Sequence, residues 1–156
     1  MPLRPLILSA LPLQYLLAVG LADMLPRLYS PVILPYEAWE ALGFPTLDGI
    51  EIRRDINVTG LDLQLPEAPL GSLQAIACAL SLFGEAPLLL LEPRAPRAAA
   101  AGLQIDATGV VGILLWAKRE GELSTLRNHL FALRAAHMPL TGKAILGALL
   151  LAGENP

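Results

Sequence analysis

Glu92, Arg94, Arg97 and Asp106 are residues whose types and placing could do chemistry, and all four fall in the stretch Pro87 to Glu120, PLLLLEPRAPRAAAAGLQIDATGVVGILLWAKRE. The planar fork of an arginine matches phosphate oxygens, so Arg94 and Arg97 could hold a nucleic-acid backbone. A solvated helix face, with Arg97 packing or pairing structurally, is the plainer account of the same two residues. The pattern around them decides where they sit. Leu88 to Leu91 is wholly apolar, as in a strand buried on both faces of a parallel sheet. Pro93 ends that strand. An Ala-rich helix then closes at Gly102, Leu103 to Ile105 reads as a further strand, and Gly109 to Glu120 reads as a helix. Strands alternating with helices imply a parallel sheet, and ligands of such sheets bind beyond the carboxyl ends of the strands. That rule puts Glu92, Arg94 and Asp106 beside any site.

The remaining elements follow from the same signals. Leu6 to Leu8 is the first, central strand, and a helix from Leu11 to Val19 stops at Gly20. Leu28 to Leu34 is strand-like, with Pro31 arguing for a sheet edge or a bulge. Pro35 opens the helix PYEAWEALG, and Ile50 to Ile52 is a brief strand. Asp55 to Pro69 is the one long irregular connection and the candidate for a flap. Leu70 to Phe83 is a helix apolar nearly all round. Leu123, Leu126, Leu130 and Leu133 recur at helical spacing, and Thr141 caps a last helix, Gly142 to Ala152.

The chain is 54% hydrophobic and 16% charged over 156 residues, with a net charge of −3. The net charge argues against a strongly basic nucleic-acid face and leaves room for a local basic patch, to which Arg53-Arg54 and Lys118-Arg119 add positive charge. The apolar surplus points to interfaces on helical faces, or to a membrane. The uncharged run between Arg4 and Asp23 has near the length of a signal or anchor segment. Pro5 and Pro12 interrupt it, and a strand, a turn and a helix account for both prolines. A single cysteine, Cys78, excludes an internal disulfide framework, fits a reducing cytosol and, within an apolar helix, reads as a buried thiol.

Other motifs carry less. His129 and His137 stand about two helical turns apart with no further ligand at metal-binding spacing. Leu140-Thr141-Gly142-Lys143 lacks the upstream glycine of a phosphate loop, and Gly109-Val110-Val111-Gly112 lacks the third glycine of a dinucleotide fingerprint. Glu37 and Glu40 flank Trp39 as ordinary surface acids.

The order of several blocks is more specific. PLGSLQAIACAL, LLLLEPRAPRAAA, TGVVGILLWAKREGEL, LFALRAAHMPLT and LAGE follow one another as in PIN-domain proteins, and ILPYEAWEAL and LILSALPLQYLLAVG fit as well. The chain thus resembles PIN domains over nearly its whole length, within a bacterial and archaeal branch related to VapC-type toxins. The resemblance implies one domain, 1–156, built as a three-layer α/β/α sandwich on a central parallel sheet. In active members it implies a metal-dependent ribonuclease. Such chemistry needs several carboxylates around a hard divalent cation, which activates a water and stabilises the transition state. Carried over position by position, the first acid of the family falls on Ser9. Its helix glutamate falls on Ala41 or the adjacent Glu40. The acid opening the LGSLQAIA helix falls on Ser72, with Leu73 and Gln74 next to it. The acid ending the fourth strand falls on Glu92, or on Pro93 if the second of a pair is meant. The threonine beyond the next strand has an equivalent in Thr108, or in Gly109-Val110 by the Gly-Thr pair.

Glu92, Glu40 and Asp106 are thus the carboxylates left as catalytic candidates, and a lone carboxylate holds Mg²⁺ poorly. The expectation is a catalytically degenerate PIN-like domain without a cofactor. It would serve as an interaction or nucleic-acid-binding module, with Arg94 and Arg97 as nucleic-acid contacts. Its expected setting is the cytoplasm, as a homodimer without a membrane contact and with an antitoxin-like protein or RNA as further partner. The alternative is an endoribonuclease with a rearranged acidic site that uses Mg²⁺ or Mn²⁺.

Overall fold

The computed structural model describes residues 3–92 and 95–155. In chain order its elements are β1 (Leu6–Ile7), α1 (Ala10–Ala18), α2 (Leu25–Leu28), β2 (Val32–Pro35), α3 (Tyr36–Ala41), β3 (Ile50–Arg53) and α4 (Leu61–Gln64). There follow α5 (Leu70–Ser81), β4 (Leu88–Leu90), α6 (Ala95–Gly102), β5 (Asp106–Thr108), α7 (Val110–Arg119), α8 (Arg127–Ala135) and α9 (Gly142–Leu151). The five strands are all parallel, in the order β3-β2-β1-β4-β5. Strand order reverses between β1 and β4, and a crevice opens at the carboxyl side of such a switch point.

Side chains of successive strand residues point to opposite faces. Leu6, Leu8, Leu34 and Leu90 accordingly join one buried cluster with Leu13 and Leu16 of α1, Ile113 and Leu114 of α7, Leu130 and Leu133 of α8 and Leu149 of α9. Ile7, Ile33, Leu89 and Leu91 join another with Leu61 of α4, Leu73 and Ile76 of α5 and Ala100 of α6. The result is an α/β/α sandwich. The uncharged run near the start of the chain is split between β1 and α1, and among the described residues no helix is long and apolar enough to cross a membrane.

Three expectations change. β2 is not an edge strand, because it lies between β1 and β3. Pro31 precedes it, and the Pro31 carbonyl accepts a hydrogen bond from Leu6 N at 2.9 Å. Leu103 to Ile105 is not a strand. These residues cap α6, with the N–H groups of Leu103 and Ile105 donating to Ala100 O and Gln104 in the left-handed region at φ 62°. The strand begins three residues later, at Asp106. The segment 55–69 holds a helical turn, α4, and Ile56, Val58, Leu61 and Leu65 pack it onto the cluster beneath α5.

Candidate functional site

At the carboxyl edge of the sheet stand Ser9 after β1, Tyr36 after β2, Arg54 after β3, Glu92 after β4 and Gly109 after β5. Ser9 is buried at the entry to α1, and its hydroxyl donates to Leu90 O at 2.9 Å, tying the end of β1 to that of β4. Glu92 turns toward α7. Its Oε1 accepts a hydrogen bond from Val110 N at 2.9 Å. The first N–H groups of a helix lack partners within the helix, and the positive end of its dipole favours an anion there. On the other side, Arg97 Nη2 lies 3.9 Å from Glu92 Oε2, an ion pair too long for a hydrogen bond. The two side chains are only 14% and 28% exposed for glutamate and arginine respectively.

Gly109 makes room for this pair. Its backbone is extended, so conformation does not demand glycine. A Cβ there, however, would clash with Glu92 Oε1 and lie 2.6 Å from Arg97 Nη1. Carboxylate, guanidinium and helix start are therefore packed into the space that a side chain would take.

The structure brings Glu92 and Arg97 together and leaves the other candidates apart. Glu40 lies in the last turn of α3, exposed and without an ion-pair partner among the described residues. Ala41 is exposed beside it, while Ser72 and Gln74 are buried in the first turns of α5. Asp106 opens β5 opposite Leu88, at the amino edge of the sheet, and pairs with Arg4 at 2.9 Å. The placing of Asp106 beside the strand-end site is corrected accordingly, and the physical reason is the later start of β5. Pro93 and Arg94 lie outside the described residues.

These residues do not fit a hard divalent cation. Mg²⁺ keeps its waters unless several charged oxygens pull on it. Here a neutral hydroxyl stands at Ser9, and the nearby carboxylate is engaged by an amide and a guanidinium. Among the described residues no three His, Cys, Asp or Glu side chains group closely enough to hold a metal ion.

A second feature of this edge was not foreseen from the residues. Of the 3 Phe, 3 Tyr and 2 Trp in the chain, Tyr36, Trp39 and Phe44 gather in one place. Their ring centroids lie 5.9 Å (Tyr36–Trp39), 6.2 Å (Tyr36–Phe44) and 5.0 Å (Trp39–Phe44) apart. The Arg54 guanidinium sits 3.9 Å above the Tyr36 ring. Tyr36 and Trp39 share a face of α3 by their spacing, which was a legible signal. Phe44 joins them only because Gly43, at φ 82°, turns the chain back. Arg53, by contrast, is bound to Glu51 at 2.5 Å and approaches the buried Cys78 Sγ at 3.7 Å. Burial pushes the Cys78 thiol up, against the opposing pull of Arg53, so the thiolate is disfavoured.

A family model described as a PIN domain matches residues 5–154. No match was found among curated proteins or solved structures.

Proposed function

Because this chain belongs to the PIN-domain family, we propose that it is a catalytically degenerate member serving as an interaction or nucleic-acid-binding module, related to the toxins of toxin–antitoxin pairs. The observation that carries the proposal is the engagement of Glu92 by Val110 N and Arg97, next to a serine at the end of β1. A nuclease of this fold would need several free carboxylates converging there, and the ion pair uses the carboxylate for folding instead. The proposed setting is the cytoplasm, consistent with a lone buried thiol. A homodimer belongs to the same proposal, with RNA or an antitoxin-like protein as further partner. Trp116 and Leu151 line a groove of about 500 Å³ on the α7–α9 side, and Leu146 and Leu150 are exposed on α9.

Calorimetric titration of Mn²⁺ into the purified protein and into Glu92→Gln tests the loss of catalysis. No heat is expected from either up to millimolar metal. Micromolar binding that Glu92→Gln abolishes would restore the endoribonuclease alternative.

A further inference from the structure

The amino edge of the sheet, opposite Ser9 and Glu92, holds a second set of polar groups around a cavity of about 250 Å³. Arg4 ahead of β1, Tyr29 ahead of β2, Leu88 of β4, Thr108 of β5, and Gly112 and Trp116 of α7 line it. Most polar groups buried in a fold have a hydrogen-bond partner. Tyr29 is only 3% exposed and borders the cavity, yet its hydroxyl makes no hydrogen bond among the described residues. Burial pushes its pKa up to about 12, with Arg4 pulling the other way and Glu120 adding to the rise. The group is thus a neutral phenol with a proton to donate.

Arg4 supplies the charge. Its Nε donates to Ala86 O at 2.7 Å, and its Nη2 donates to Pro87 O at 3.1 Å and to Asp106 Oδ2 at 2.9 Å. Nη1 is left without an acceptor among the described residues. The guanidinium is therefore fixed before any ligand arrives, which lowers the ordering cost of binding. Asp106 offsets its charge only in part, being 72% exposed against 35% for Arg4, so that solvent screens the carboxylate more. Trp116 supplies an exposed ring, and Gly112 stands one helical turn before it on the same face of α7. A Cβ at Gly112 would clash with Thr108 Oγ1. Thr108 takes that space, and no side chain covers the indole from the preceding turn.

We infer that this cavity binds a single-ring aryl carboxylate, its ring against Trp116 and its carboxylate accepting from the Tyr29 hydroxyl and Arg4 Nη1. Size sets the single ring, because typical ligand pockets are larger, at roughly 300–1,000 Å³. The two donors set the anion, since a carboxylate can accept from a guanidinium and a hydroxyl at once. The indole face sets the flat ring, which stacks on it in an offset or edge arrangement. The site lies at the far edge of the sheet from Glu92 and does not depend on the nucleic-acid reading.

The test is fluorine NMR of para-fluorobenzoate titrated with the full chain, beside para-fluorobenzyl alcohol, which keeps the ring and lacks the charge. The acid is expected to bind saturably, with the alcohol at least about tenfold weaker. Tyr29→Phe removes the hydroxyl alone and should weaken the acid about tenfold. The same variant should leave the urea midpoint unchanged or raised, because the hydroxyl has no partner in the fold. Trp116→Leu keeps an apolar side chain without the ring and should also weaken the acid. A fluorine signal unchanged at millimolar ligand would overturn the site. Equal binding of acid and alcohol would overturn the anion. Binding of the acid that both variants leave unchanged would place it elsewhere on the molecule. A clear fall in the urea midpoint of Tyr29→Phe would make the hydroxyl a structural group, and the inference would fall with it.

Discussion

At Glu92, where the resemblance places an acid of the family, the carboxylate is held by the fold itself. Val110 N and Arg97 grip it from two sides, and the missing side chain of Gly109 lets them. Gly109→Ala should therefore push Glu92 and Arg97 away and uncap α7, at a cost of about 0.5–2 kcal/mol for the lost cap. The unfolded chain loses freedom when glycine becomes alanine, which returns about 0.4–1 kcal/mol where the backbone is compatible, as it is here. The expected net loss is about 0.5 kcal/mol. In a Glu92→Ala background the cap is already gone, and the same substitution should become neutral or stabilising. Urea midpoints of the four proteins in this cycle read the difference. Equal effects of Gly109→Ala in both backgrounds would mean that Glu92 does not depend on the glycine.

Among the helices, the packing of α7, α8 and α9 depends on a residue beyond the last of them. Glu154 Oε2 accepts hydrogen bonds from Lys118 Nζ of α7 at 2.9 Å and from Leu126 N at 2.8 Å, and Oε1 accepts one from Arg127 N at 3.3 Å. It thereby caps α8 and ties it to α7. The Lys118 ammonium hydrogen-bonded to it, helped by the two amides and opposed by burial, holds the Glu154 carboxyl below the usual glutamate range. A carboxylate with a lowered native pKa contributes stability above its unfolded pKa, and that contribution fades as pH falls through the native value. Chemical denaturation across a pH series should thus show stability falling below the ordinary glutamate range, and Glu154→Gln should flatten that part of the profile. A variant with an unchanged acid profile would remove the clamp from the account. Some element boundaries were legible from a local signal: Thr141, read as a cap, accepts from Ala144 N at 3.0 Å, and of the leucines read at helical spacing Leu126, Leu130 and Leu133 are buried, while Leu123 lies half-buried before α8. They were not legible at Leu103 to Ile105. A short apolar run fits a strand or a helix cap equally well, and the choice lies in the left-handed turn at Gln104.

For the molecule as a whole, that local ambiguity had a long reach. Strand–helix alternation was enough to give a parallel sheet and the edge at which a site must lie. Which carboxylate reaches that edge depended on where β5 begins, and the later start carries Asp106 to the opposite end. The grouping of Phe44 with Tyr36 and Trp39 depends on the turn at Gly43, a tertiary placement that spacing alone does not reveal. The apolar surplus was plain from composition, and its destination can now be followed. Two clusters on either face of the sheet absorb most of it. Leu150 at 60% and Leu151 at 79% exposure remain outside on α9, and Leu151 lines one groove with Trp116 of α7. Exposed leucines at this density are where a second copy would bury apolar area, at roughly 25 cal/mol for each Å² removed from water. Sedimentation velocity at micromolar concentration should give a dimer. Leu151→Glu should shift it to monomer with an unchanged circular dichroism spectrum, because the side chain lies outside the core. If the wild-type chain sediments as a monomer throughout, the α7–α9 face is not a self-interface. If Leu151→Glu leaves the dimer intact, the second copy sits elsewhere on the surface.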